Sequence, residues 1–279
     1  MKRAFIIKKK KPNYAPIMDA VQRQGIEIRD FEDDLSDLTH AVVFHNKSFD
    51  IKCPAKIGWW QCDYRKPSDL EILQFETDLA HIFLPMHNYH DEYELEYEVP
   101  VTFMPQHGLE SPKQTTGRYI PETSVFIGNV ANNPYHHNRE QILAEIRDIM
   151  SVRIIGGEKN TIDQGYIYGK VPFSINITLP NMAGCSNRLY NILASGGLCV
   201  TTWFEGIERL FENNKHLIWF KEVSELKDII PQLLVNEYKM HMIRNAGNEL
   251  YRQKHTAQHR IANMFSILEG KETEFRGYL

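Results

Sequence analysis

Two runs of alternating strand and helix signals, separated by a stretch without apolar periodicity, predict an α/β chain of two Rossmann-like domains. At 279 residues the chain is long enough for two modest cores. Six short apolar segments, at residues 4–7, 26–28, 41–44, 57–60, 82–84 and 99–103, read as strands of the first domain. Between the first two, Ile17, Met18 and Val21 give residues 14–24 helical spacing. The chain therefore opens strand, helix, strand, and a crossover of that kind joins parallel strands. Leu70, Ile72, Leu73, Phe75 and Leu79 predict a second amphipathic helix over residues 69–80.

From residue 108 to 119 the composition shifts to Ser, Pro, Lys, Gln, Thr and Gly, as in a linker, which divides the chain into domains 1–118 and 119–279. The second domain repeats the pattern. Strands are predicted at 125–127, 152–155, 174–177, 198–201 and 217–220. Helices are predicted at 139–150, 187–194 and 224–234, the last with Ser224 as N-cap, followed by a long helical region over 237–268. In such doubly wound sheets ligands bind outside the carboxyl ends of the strands.

Composition narrows the function classes. With 42% apolar and 24% charged residues the chain has the make-up of a soluble globular protein, and no apolar run approaches the ~20 residues of a membrane span. The apolar run after Met1, Lys2 and Arg3 is too short for a signal-peptide core. Cys53, Cys62, Cys185 and Cys199 show no CxxC spacing and sit in or beside apolar runs, so they read as reduced core thiols, and a cytoplasmic location is expected. Among the twelve histidines there is no HExxH pattern, and His136 and His137 read as solvated. No metal ligand is assigned, although a divalent ion is compatible with the sequence. The formal charge of -4 counts against a general nucleic-acid coat protein and leaves room for a local basic patch.

One run carries family information: Asn187, Arg188, Leu189 and Tyr190, then Asn191 through Ala194, Gly196 and Gly197, then the strand at 198–201. Together with Leu210 to Asn213 and the block from His255 to Arg260, it resembles the glycosyltransferase group 1 and CgeB-like families. Residues 125–129 followed by Arg139 resemble the strand, glycine turn and arginine that open the donor domain of such enzymes. Residues 57–67, which contain Asp63, Arg65 and Pro67, are similar to the strand and Asp-x-Arg-x-Pro segment of phage DNA β-glucosyltransferases.

The resemblance implies a GT-B-type fold with an interdomain cleft, a nucleotide-sugar donor (a UDP-sugar first) held by the C-terminal domain, and a hydroxyl acceptor on the N-terminal side. It implies Asp63 as catalytic base and Gly128, Asn129, Arg139, Asn187, Arg188 and Asn191 as donor-binding residues. On the acceptor side, with nucleic acid as a candidate partner, Lys8, Lys9, Lys10 and Lys11 after the first predicted strand and His45 after the third are candidates by position, and the resemblance adds Arg65 and His107. These families usually carry a ribose-binding glutamate three residues after the arginine. This chain has Asn191 there, an amide that lacks the charge-assisted acceptors of a carboxylate.

The chemistry suits these residue types, and each has a plainer alternative. Sugar transfer needs a base near the acceptor hydroxyl and positive charge near the departing diphosphate. Asp63 follows an apolar strand and can supply the base, or it can pair with Arg65 or cap a helix beginning near Pro67. Arg139 at a helix start can meet a phosphate, or be an ordinary exposed arginine. Arg188 can do the same, or bridge to Glu205 or Glu208. The four lysines read first as a solvated loop and second as a phosphate-backbone contact. Trp59 and Trp60 point to opposite faces of a strand, and His255 to Arg260 read as a surface helix face crossing back towards the first domain. The function expected is a hexosyl- or pentosyltransferase acting on hydroxymethylpyrimidine in phage DNA, with the host cytoplasm as its location. A glycan or small-molecule acceptor, a nucleotide-sugar 2-epimerase-like isomerase and a non-catalytic binding protein are the alternatives.

Overall fold

The computed structural model describes residues 1–7, 15–44, 51–61, 66–69, 79–108, 123–130, 137–156, 164–178, 183–184 and 186–279. They form two compact units, one of Met1–Gln106 with Ala257–Gly277, the other of His107–Thr256 with Tyr278–Leu279. The predicted boundary at 118/119 lies outside the described residues, as does most of the linker around it.

The first unit is built on a six-stranded parallel sheet. Its strands are β1 (Arg3–Ile6), β2 (Glu27–Arg29), β3 (His40–Phe44), β4 (Lys56–Trp60), β5 (Leu79–Leu84) and β6 (Val101–Phe103), in the spatial order β2-β1-β3-β4-β5-β6. All six predicted strands are present. Helix α1 (Ala15–Arg23) joins β1 to β2 as the Ile17 and Val21 spacing requires. Within this unit β3 and β4 read as near-continuous apolar runs because the sheet is covered on both faces. Trp59 meets Tyr93 and Tyr97 edge-on, Trp60 meets Phe44, and both indoles are fully buried.

Two predictions for this unit change. Of the helix expected over 69–80, residues 70–78 lie outside the described set, whereas Leu79 and Ala80 already belong to β5. A helix not foreseen, α2 (His90–Tyr97), precedes β6. It has no apolar stripe and buries only Tyr93, so it carries no periodic signal.

The second unit holds a five-stranded parallel sheet of β7 (Ser124–Ile127), β8 (Val152–Ile155), β9 (Ser174–Asn176), β10 (Cys199–Thr202) and β11 (Ile218–Phe220), in the order β11-β10-β9-β7-β8. Helices α3 (His137–Arg147), α4 (Gln164–Lys170), α5 (Asn187–Ala194), the short α6 (Ile207–Leu210), α7 (Leu226–Leu234) and α8 (Glu237–Leu250) complete it. Phe126, Ile175, Val200, Ile218, Leu143 and Ile230 are among its core residues. Helix α5 ends in a Schellman motif. Gly196 takes φ 69°, its N–H donates to Leu193 O at 3.0 Å, and Gly197 N–H donates to Ile192 O at 2.9 Å. The Asn248 amide adds bonds to Leu193 O and Ala194 O at 2.7 and 3.0 Å, so the carbonyls at this buried helix end are satisfied.

Three boundaries are corrected. The turn before α7 is capped by Glu222, in a reciprocal capping box with Glu225, rather than by Ser224. The region 237–268 is two helices. A π-helical turn at Tyr251–His255 and an extended Thr256 separate α8 from α9 (Ala257–Leu268). Helix α9, expected in the second domain, belongs to the first unit, where it packs on α1, β3, β4 and β5. The block from His255 to Arg260 is therefore no surface face throughout, because both of those residues are fully buried. Arg260 donates to Pro105 O at 3.2 Å and lies over the Phe275 ring. Of the cysteines, Cys53 and Cys199 are buried thiols outside any disulfide, while Cys62 and Cys185 lie outside the described residues.

His81 on β5 offers a measurable consequence of burial. Its Nε2 lies 2.8 Å from Thr102 Oγ1 and its ring stacks on Phe83. Burial pulls its pKa down to about 4. The unfolded chain, with a value of ~6.5, takes up that proton more readily, so stability present above pH 6.5 is lost as pH falls towards 4. His81→Gln, which retains a hydrogen-bonding group for Thr102, is expected to remove about 3 kcal/mol of that loss in urea melts compared at pH 7 and pH 4. Equal pH dependence in the two proteins would refute the assignment.

Candidate functional site

In the second sheet the chain runs from β7 to β8 on one side and returns to β9 on the other. The switch point, where doubly wound sheets bind their ligands, therefore lies at the carboxyl ends of β7 and β9. The structure brings four of the sequence-predicted donor residues to this place. β7 ends in Ile127, followed by Gly128 and Asn129. Arg188 comes from the first turn of α5 and Arg139 from the first turn of α3.

Arg188 spans the gap between the two strands. Its Nε–H donates to Ile127 O on β7 at 2.7 Å and its Nη1 donates to Asn176 Oδ1 on β9 at 3.3 Å. Its guanidinium carbon stands 4.5 Å from the centre of the Phe126 ring. A Cβ at Gly128 would lie 2.3 Å from Arg188 Nη2, so the side chain needs glycine at that position. Arg139 approaches the same ring at 5.7 Å and donates from Nη1 to Asn129 O at 2.9 Å.

Arg139 is only 7% exposed, and its Nε has no hydrogen-bond partner among the described residues. Burial first, and the charge of Arg188 second, bring its pKa down to about 10, which leaves it charged at neutral pH. Two like charges thus share one apolar ring, and their identified partners are neutral carbonyls and an amide. Ser186 Oγ donates to Asn176 Oδ1 at 3.2 Å and makes no side-chain cap to the first turn of α5.

The remaining predicted residues divide by position. Asn191 lies one helical turn beyond Arg188 and is buried, at 8% exposure. Asn187 is exposed at the start of α5. His107 is half-buried, with Nδ1 2.8 Å from the Gly108 carbonyl as donor, and Gly108 lies close against the backbone of Tyr190 in α5. Asp63, Arg65, His45 and Lys8 to Lys11 lie outside the described residues. The alternative partner considered for Arg188, Glu208, accepts a hydrogen bond from Trp203 Nε1 at 2.5 Å.

Sequence reasoning missed Phe126 and Asn176. The ring was hidden in an ordinary apolar strand. Asn176 did carry a signal, because an asparagine inside a buried strand must have partners to be tolerated. Among the described residues no three His, Cys, Asp or Glu side chains gather to hold a metal ion, and no helix is long and apolar enough to cross a membrane.

Residues 139–266, a span that begins at one site arginine and contains the other, match the family described as glycosyl transferase-like. Curated proteins give no sequence match. Among solved structures, an α-glucosyltransferase in complex with UDP and a 13-mer DNA containing an HMU base is 10% identical, with a TM-score of 0.66 over 96% of this chain and 99% of that one. The α-glucosyltransferase in complex with UDP-glucose and DNA containing an abasic site is 11% identical, with a TM-score of 0.69 over 96% and 98%. WaaG, a glycosyltransferase involved in lipopolysaccharide biosynthesis, is 8% identical, with a TM-score of 0.56 over 96% and 100%. Residues 139–266 thus match a glycosyl transferase-like family, in a chain with the α/β fold of the GT-B glycosyltransferases.

Proposed function

We propose that the protein moves a sugar from a nucleotide-sugar donor, a UDP-sugar, to a hydroxyl acceptor, and that the donor diphosphate lies against Arg188, Arg139 and the Gly128 turn. The observation that carries this reading is the convergence of two guanidiniums on Phe126 at the switch point of the second sheet. Breaking the glycosidic bond puts further negative charge on the diphosphate, and donors fixed in place beforehand stabilise that charge more in the transition state than in the ground state. The solved structures with UDP or UDP-glucose bound support a nucleotide diphosphate over other anions.

For the acceptor we favour hydroxymethylpyrimidine in DNA. The first unit repeats the topology of the second, with its switch point between β1 and β3. In sequence, Lys8 to Lys11 follow the one strand and His45 the other, a composition suited to a phosphate backbone. The similarity between residues 57–67 and the DNA β-glucosyltransferases supports Asp63 as base, and the DNA-bound α-glucosyltransferases of like fold add support for the substrate class. A base in a duplex must be unstacked to react, at a cost of a few kcal/mol that backbone contacts would offset.

The deciding experiment is incubation with UDP-sugars and hydroxymethylated DNA, with products read by mass spectrometry. Transfer adds one sugar mass to the DNA and releases UDP. Release of UDP without a DNA product would remove the acceptor, and no release with any acceptor would remove the transferase reading.

Arg188→Ala is expected to weaken UDP binding about 10- to 150-fold, as loss of charge-assisted bonds worth ~1.5–3 kcal/mol requires, and titration calorimetry measures it. Gly128→Ala pushes on the far end of the Arg188 side chain and strains a backbone at φ 158°, so it should lower the melting temperature and weaken UDP at least about tenfold. Wild-type affinity in either variant would take Arg188 out of the site. Asp63→Asn should keep UDP affinity and lower kcat by about 100- to 10,000-fold if the aspartate takes the acceptor proton. Near-normal turnover would end that assignment.

A further inference from the structure

The last residue of β9, Asn176, is fully buried, and its side chain bonds Arg188, Ser186 just before α5, and Thr201 on β10. Its Nδ2 donates to Thr201 Oγ1 at 2.9 Å, and Thr201 donates its own proton to Thr202 O at 3.1 Å. Its Oδ1 accepts from Ser186 Oγ and from Arg188 Nη1. These partners fix the amide in one orientation. A guanidinium has donors only, so the atom facing it must be the oxygen, and a hydroxyl already committed to a carbonyl must accept from the nitrogen.

We infer that Asn176 is a positioning residue that aims Arg188 at the donor diphosphate while leaving its positive charge undiminished. The inference rests on the donor reading above. An aspartate would occupy the same volume and hold the guanidinium more tightly. It would also place a buried negative charge against Arg188 and compete with the diphosphate for it. A neutral acceptor supplies direction without that competition. The same logic explains why the support reaches back to β10: Thr201 anchors the amide, and the amide anchors the arginine, so the guanidinium is set by the sheet itself.

The test is UDP binding by titration calorimetry at two salt concentrations, with ligand-free melting temperatures measured alongside. In Asn176→Asp, UDP affinity should fall at least about tenfold, and its dependence on salt should flatten because one site charge is neutralised. In Asn176→Ala, affinity should fall about three- to tenfold with the wild-type salt dependence, since only aim is lost. Should the aspartate variant not fold, Thr201→Val provides the second comparison, releasing the amide without changing charge, with the same outcome expected as for Asn176→Ala. Wild-type affinity in the folded variants overturns the positioning role, even where the melting temperature drops, because a purely structural amide would behave that way. If the wild-type protein binds neither UDP nor GDP nor ADP, the donor reading falls and this inference with it. If the wild type binds and Arg188→Ala does not, while both Asn176 variants bind normally, this inference alone falls.

Discussion

In a parallel sheet whose first strand has neighbours added on both sides, the crossovers leave in opposite directions and a gap opens at the carboxyl ends of the central strands. In the second unit a single side chain spans that gap. Arg188 holds the last carbonyl of β7 and the last side chain of β9 at once, and lies on the Phe126 ring between them. Its reach depends on where α5 begins, and α5 is pinned at its other end. The Schellman turn at Gly196 and the Asn248 amide bond the final carbonyls, so the helix cannot slide along its axis without breaking buried hydrogen bonds. The position of one guanidinium is thus the result of a glycine, an asparagine and a short helix acting together.

The chemistry follows from what surrounds that charge. The identified partners of both arginines are carbonyl oxygens, one amide and one aromatic face. Each of these orients a cation without cancelling it. Arginine suits the task better than lysine would, because its planar fork can bond the strands on some edges and still present others to a ligand. Asn191, where related sequences carry a glutamate, keeps this region of α5 free of a negative charge. On the proposed donor reading, the amide would forgo a carboxylate's grip on ribose hydroxyls, and the two arginines would face the diphosphate without a competing anion on that turn.

Most of the sheet framework was legible because buried parallel strands announce themselves as short apolar runs. All eleven lie within three residues of where the sequence put them. Helices were legible in proportion to their apolar stripe. Helix α1, with Ile17 and Val21, was clear, while α2 buries only Tyr93, and α4 is seven residues with two buried positions, one of them a glycine. The assignment of α9 to the first unit could not be read locally. A helix shows which of its faces is apolar, but not which sheet will cover that face. At the site, Gly128, Arg139 and Arg188 came from resemblance, and their geometry from the fold. Asn176 was passed over because a strand reading absorbs a single polar residue unless its partners are sought.

The two units use the same topological device, and the sequence loads both with positive charge. In the first unit the strands flanking the switch point are β1 and β3, and the residues that follow β1 in sequence are four consecutive lysines. The chain as a whole carries a formal charge of -4. That sum has little bearing on either site, because at physiological salt charges more than about 8 Å apart are largely screened from one another. What a ligand meets is the local composition. A net-negative chain that concentrates basic residues after the strands where α/β sheets bind ligands can repel polyanions over most of its surface and still accept them at two places. On the proposed reading, selectivity for an anionic donor, and for an anionic acceptor if DNA is the substrate, would arise from where the strands end rather than from the overall balance of charge.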